Sequence, residues 1–329
     1  VIAYTMVLKH RQTTEGETSA EVVNIEPEGK DEEGMTVPDD ASIVIAIANE
    51  TKADNSLEED VDSGGFEWIK EDELKPVSNR SHDWLHLGAT LVDCLDNLWI
   101  MGMRDEFREA REWVATRLSF ATPRSISMFE TVIRILGGLL SAFELSKDRI
   151  FLVKATELAD KMMYAFDARS RFGLPCTTIS LTSTMCSFAS WTGSSAILAE
   201  FGTIQLEFKY LAYHTGMRKY WDVAQRIMDH MRKVEKPHGL YPVFMSPSSG
   251  TWTSQKITLG ALGDSFYEYL IKQWLITNKQ ETYLREMFDR YGSQLGLSRP
   301  SIYKRFSETG DLFRSAKVGT TAYVKMKEE

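Results

Sequence analysis

From about Phe66 onward, apolar positions recur along this chain at helical spacing. Phe107, Ala110, Trp113, Val114 and Leu118 fall on the stripe that a helix buries on one side. Phe129, Val132, Ile133, Leu136, Leu139, Leu140 and Phe143 repeat the pattern. Further helical segments are predicted over Phe151–Phe166, Ala196–Tyr213, Tyr220–Met231, Phe266–Ile276 and from Tyr283 to about Tyr291. The segments come in pairs, with short polar joints at Gly102–Asp105, Ser146–Asp148 and Thr215–Lys219, as in antiparallel helical hairpins. Longer gaps rich in Gly, Pro, Ser and Thr, at Ser170–Ser194 and Lys236–Ser254, separate one pair from the next. No run of strands punctuated by turns interrupts them. The pattern predicts an all-α fold, a ring of helical hairpins whose long loops build a site at one end.

The two ends differ from this. From about Thr13 to Gly65, Asp, Glu, Ser, Thr and Gly dominate, broken only by Ala41–Ala48, so residues 1–65 read as a disordered acidic stem. Val1–Leu8 is apolar but much shorter than the roughly 20 residues that span a bilayer. It reads either as the end of a lost membrane anchor or as an ordinary terminus. Ser298-Arg299-Pro300 breaks the last helix, because proline removes a donor and restricts the residue before it. The expected division is a stem over 1–65, an incomplete α/α barrel over 66–296 and a divergent tail over 297–329.

Composition narrows the chemistry. In 329 residues the net charge is −9, with no basic run, which excludes nucleic acid as a partner that needs a basic face. The three cysteines, Cys94, Cys176 and Cys186, permit at most one internal disulfide and no zinc spacing; Cys94 reads as a buried thiol, and pairing of Cys176 with Cys186 stays open. Asn49-Glu50-Thr51 and Asn79-Arg80-Ser81 fit the glycosylation acceptor pattern, a common tripeptide. There is no Gly-rich phosphate loop, HExxH or nucleophile elbow.

Carboxylates on apolar segments carry the remaining signal. Glu130 precedes Arg134 by four residues, with Gly137 and Gly138 following. This is either an exposed i,i+4 ion pair or an inward carboxyl, where burial and the guanidinium compete to set whether it donates a proton. The glycines would let a second backbone or a ligand approach. Asp264 opens Asp264-Ser265-Phe266-Tyr267-Glu268, where it or Ser265 reads as an N-cap and Ser265 with Glu268 as a capping box. Glu200, Thr203 and Glu207 share one face of the predicted 196–213 helix, either solvated or lining the ring's inner wall. Asp93 and Asp96 read as structural, accepting hydrogen bonds from loop ends or pairing with a neighbouring arginine. Tyr241 and Trp252, in the last long loop region, are candidates for stacking on a sugar face.

These segments taken together resemble a known family. DELKP at 72–76, GATLVDCLDNLWIMG, FETVIRILGGLLSAFEL, ILAEFGTIQLEFKYL, GLYPVFMSPSSG and LGALGDSFYEYLIKQW, in this order, resemble glycoside hydrolase family 47, the class I α-1,2-mannosidases that trim N-linked glycans. The resemblance implies a partial (α/α)7 barrel and hydrolysis of terminal α-1,2-linked mannose from high-mannose N-glycans, with inversion. It implies that Glu130 is the general acid, acting through a water, and that Asp264 is a base or a support for the attacking water. Arg134 and Glu200 are implied to line the sugar pocket. Where the endoplasmic-reticulum branch carries an arginine two residues before this aspartate, the chain has Leu262; with the PSSG loop this is similar to the Golgi-type branch. The implied setting is the Golgi or endoplasmic reticulum lumen, with type II anchoring through an N-terminal segment outside this chain. The implied cofactor is calcium, held by a threonine of the last hairpins, which the resemblance does not reach past about Tyr291; no metal ligand is expected in this chain, and the chain alone is expected to be largely inactive. The rival expectation is a non-catalytic binder of mannose-rich glycans.

Overall fold

In the computed structural model, residues 72–294 apart from Pro76 and Asn79 are described. The expected stem, the tail over 297–329 and both glycosylation tripeptides' asparagines lie outside the described residues. The chain divides into two compact units. Of the described residues, the first holds those from 72 to 163 with 180–184 and 210–220; the second holds 164–179, 185–209 and 221–294.

The first unit opens with the antiparallel pair β1 (Glu73–Lys75) and β2 (Arg80–His82). Four helices follow: α1 (Ala89–Ile100), α2 (Arg104–Thr116), a composite over 128–146, and a helix over Arg149–Met162. The composite begins as α3 (Met128–Glu130), widens into a π-helical turn over Thr131–Leu136 and resumes as α4 (Gly137–Ser146); the next helix is α5 (Arg149–Met162). The expected joints are where the hairpins turn, and Asp148 caps α5 by accepting the Ile150 N–H at 3.0 Å. Helix α1 packs on α2 and α4, and α4 on α5. The α1–α4 crossing is close because Gly138 faces the Val92 carbonyl; a Cβ there would stand 2.4 Å from that oxygen. Gly138 thus admits a second backbone, one of the two readings the glycine pair allowed.

Asp72 ties the start of this unit together. Its carboxylate accepts five backbone N–H groups: Trp84 at 2.7 Å, Leu85, His86 at 2.6 Å, Leu87 at 3.0 Å and Ala89 at 3.1 Å. Burial would raise its pKa, but the Asp83 side chain and these N–H donors outweigh it and hold the carboxyl below its usual value.

The second unit carries α6 (Leu198–Phe201), the first residues of α7 (Gln205–Thr215), most of α8 (Arg218–Lys233), α9 (Asp264–Ile276) and α10 (Thr282–Gln294). Helices α9 and α10 pack as a hairpin. Phe201, Phe208, Tyr241, Phe266, Tyr267 and Phe288 are fully buried and form much of its core. Two short antiparallel ladders hold its loops: Thr178 and Ile179 against Ser187 and Cys186, and Ala196-Ile197 against Phe244-Met245. Such two-residue ladders leave no alternating pattern long enough to read from sequence.

One predicted helix is broken. The 196–213 segment splits at Gly202–Ile204, since Gly202 lies against Phe266, where a Cβ would meet that ring at 2.4 Å. The Cys176–Cys186 pairing left open by the sequence is a disulfide, with a Cα–Cα separation of 5.8 Å.

Candidate active site

The first unit places Glu130 and Arg134 side by side. Ser127 caps the short α3 by accepting the Glu130 N–H at 3.2 Å, and Thr131 anchors the turn through Oγ1 to the Ser127 carbonyl at 2.7 Å. Arg134 sits in the π-helical turn, a widening that costs hydrogen-bond regularity and often marks a functional position. Its Nε donates to Glu130 Oε2 at 2.6 Å and its Nη1 to Asp93 on α1 at 3.3 Å. One guanidinium therefore bridges carboxylates from two elements. Burial alone would lower the arginine's pKa; Glu130 and then Asp93 reverse this and raise it, so the charge is fixed at every working pH. Burial pushes the Asp93 carboxyl up, partly offset by Arg134. The i,i+4 ion pair is therefore present and partly exposed, with the Arg134 side chain 41% and the Glu130 side chain 28% accessible.

Asp96, one turn further along α1, is buried and accepts the Ser141 hydroxyl at 2.9 Å. Asp93 thus has the arginine its sequence context suggested, whereas the partner of Asp96 lies on helix α4 rather than at a loop end. Cys94, between them, is half-buried, and burial raises its thiol pKa.

The second unit brings the segments of Glu200 and Asp264 together. The Ala199 N–H donates to the Leu262 carbonyl at 2.9 Å, and the Thr203 and Ser265 hydroxyls meet at 2.9 Å. Leu262 holds φ at 79°, a left-handed conformation that Leu rarely adopts, immediately before the glycine and aspartate that begin α9. Asp264 is half-buried and is itself the first residue of α9; its Oδ1 accepts the Ser265 N–H at 2.9 Å. The N-cap and capping-box expectations fail here. Gly263 occupies the cap position, Ser265 is engaged by Thr203, and Glu268 pairs with Lys272 one turn on. Asp264 thus satisfies one first-turn N–H of its own helix through Oδ1.

Glu200 is half-buried on the four-residue α6, and its Oε2 accepts the Thr177 hydroxyl at 2.9 Å. Thr177 was not legible as a site residue, because it reaches Glu200 from another loop. The solvated-face reading of Glu200, Thr203 and Glu207 is overturned: Thr203 and Glu207 are buried at 2% and 3% exposure, and the helix break puts Glu207 on α7. Tyr241 is also corrected. It is 1% exposed, packed against Phe266 and Tyr267, and has no face for a sugar. Trp252 is half-buried, with Nε1 donating to the Glu235 carbonyl at 2.6 Å.

Glu130 and Arg134 belong to the first unit, Glu200 and Asp264 to the second. Among the described residues no group of three or more His, Cys, Asp or Glu side chains converges to hold a metal ion, and no helix is long and apolar enough to cross a membrane. No chemical step below is routed through a metal ion.

Comparison with known proteins supplies the frame for these groups. The profile of glycosyl hydrolase family 47 matches residues 67–320. Over 223 residues the chain is 40% identical to mannosyl-oligosaccharide 1,2-alpha-mannosidase IB of Mus musculus, covering 66% of this chain and 34% of that protein. Over 251 residues it is 40% identical to the endoplasmic reticulum mannosyl-oligosaccharide 1,2-alpha-mannosidase of Rattus norvegicus, covering 75% and 38%. The chain thus spans little more than a third of the length of these relatives. The structure of the alpha-1,2-mannosidase from Trichoderma reesei superposes with a TM-score of 0.63 at 28% identity, covering 78% of this chain and 54% of that one. The all-α architecture and its kinship with the (α/α)7 barrels follow from that match.

Proposed function

Because the chain belongs to glycosyl hydrolase family 47, we propose that the intact protein hydrolyses terminal α-1,2-linked mannose from high-mannose N-glycans. The observation that carries this reading is the Glu130–Arg134–Asp93 bridge on the π-helical turn, in a chain with this family's match. Glu130 acts as general acid, delivering its proton to the glycosidic oxygen through a water. Arg134 engages Oε2, so the transferable proton is carried on Oε1, and the guanidinium stabilises the carboxylate left after transfer. Asp264 is the base, or the support, for the attacking water. Glu200 accepts sugar hydroxyls. An inverting hydrolase uses two carboxyl groups, one as acid and one as base for the attacking water.

Calcium is proposed as the intact protein's cofactor on family grounds, with its seat outside the described residues. When bound, such an ion would contact sugar hydroxyls. The proposed setting is the lumen of the endoplasmic reticulum or Golgi. Relatives at equal identity include both a mannosidase IB and an endoplasmic reticulum enzyme, so assignment to the Golgi-type branch rests on Leu262 and the PSSG loop. The test is proton NMR of the intact protein acting on α-1,2-mannobiose. Initial release of β-mannose supports the reading; no release, or α-mannose formed first, contradicts it.

A further inference from the structure

Glu200 has weak support from its own element. Helix α6 has only four residues, and no side chain caps it. Its backbone is fixed by the Leu198 N–H on the Val243 carbonyl and the Ala199 N–H on the Leu262 carbonyl, both at 2.9 Å. Neither bond sets the carboxylate, whose terminal torsion is intrinsically broad and two-fold. The Thr177 hydroxyl donates to Oε2 at 2.9 Å and so engages the carboxylate directly.

Thr177 is in turn held on both sides. Before it, Cys176 is 1% exposed, bonded to Cys186, and its N–H reaches the Ala165 carbonyl at 3.3 Å. After it, Thr178 and Ile179 pair with Ser187 and Cys186. The Cys186 carbonyl accepts Arg169 Nε at 3.0 Å. The Cys176–Cys186 disulfide links the two segments of this ladder covalently.

We propose that Thr177 is a positioning residue for Glu200 and that the Cys176–Cys186 disulfide holds Thr177 in place. The inference deepens the mannosidase reading and rests on it for its kinetic test. In the intact protein, Thr177→Val is expected to raise KM for α-1,2-mannobiose about tenfold, the scale of one hydrogen bond to a charged group, with kcat changed less than about twofold. Thr177→Ser, which keeps the hydroxyl, restores KM. Paired Cys176→Ala and Cys186→Ala raise KM in the same direction, and adding Thr177→Val to them brings little more, because the two changes act through one contact. A purely structural role would lower kcat through loss of folded protein, leave KM alone and make the effects multiply; that result overturns the proposal. A ligand-free arm separates this from failure of the mannosidase reading. In methyl-labelled protein the Thr177 methyl resonance is expected to move on Glu200→Gln and on removal of the disulfide. If it moves with neither, the proposal is wrong whatever the protein cleaves.

Discussion

The Tyr269 hydroxyl donates to Glu207 Oε1 at 2.8 Å, while the other oxygen of that carboxyl is buried with no partner among the described residues. Burial pushes the Glu207 pKa from 4.5 up to about 7; the Tyr269 bond and the more distant Lys272 charge oppose this only in part. A folded-state pKa above the unfolded one means the protonated form stabilises the fold. That contribution is fully present below about pH 4.5 and is lost as pH rises through about 7. Glu207→Gln is expected to flatten this part of the stability–pH curve, by roughly 1–3 kcal/mol between pH 4.5 and 7.5. Urea unfolding of both proteins across that range measures it; parallel curves would show that Glu207 does not titrate there.

Asp72 is the opposite case. Its folded pKa is lowered, so its contribution is present above its usual value and is lost as pH falls through the folded one. Asp72→Asn removes the charge and one acceptor from a set of five N–H donors. We expect a loss of about 2–4 kcal/mol at pH 7, shrinking as the wild type is acidified. Thermal melts at pH 7 and pH 3 check both halves; equal losses at the two pH values would contradict the charge argument.

Gly138→Ala is expected to lower stability by about 1–3 kcal/mol, since the added carbon would stand 2.4 Å from the Val92 carbonyl oxygen and must push two packed helices apart. Denaturant midpoints measure it. An unchanged midpoint would mean that the α1–α4 crossing relaxes freely.

Much of this was legible because it depends on local periodicity. The stripe from Phe107 to Leu118 and the joints before Arg104, Arg149 and Arg218 are where their spacing puts them. The rest depends on what the segments meet. Gly202 ends a helix because Phe266 lies against it, which no pattern within residues 196–213 records. Tyr241 is in a polar loop region yet buried, because Phe266 and Tyr267 cover it. The π-helical turn at Arg134 leaves the apolar stripe nearly unchanged, so periodicity reads straight through it. At the candidate site the residue types were visible, including an arginine partner for Asp93. The hydroxyl on Glu200 was not, as Thr177 lies 23 positions earlier in a loop.

Arg134 tests the bridge itself. Arg134→Lys keeps one positive charge but not two donors in a rigid fork, so it cannot hold Glu130 and Asp93 together. Turnover of α-1,2-mannobiose by the intact protein is expected to fall about tenfold or more, with a melting temperature within a few degrees of wild type. Full activity in the lysine variant would show that the bridge is incidental.

The most direct measurement compares Glu130→Gln with the wild-type intact protein, following mannose release and disaccharide binding in parallel. The account predicts that turnover drops on the order of 10²–10⁴-fold while affinity stays within about threefold. Undiminished turnover in the variant, or a wild type that binds the disaccharide and never cleaves it, would contradict it.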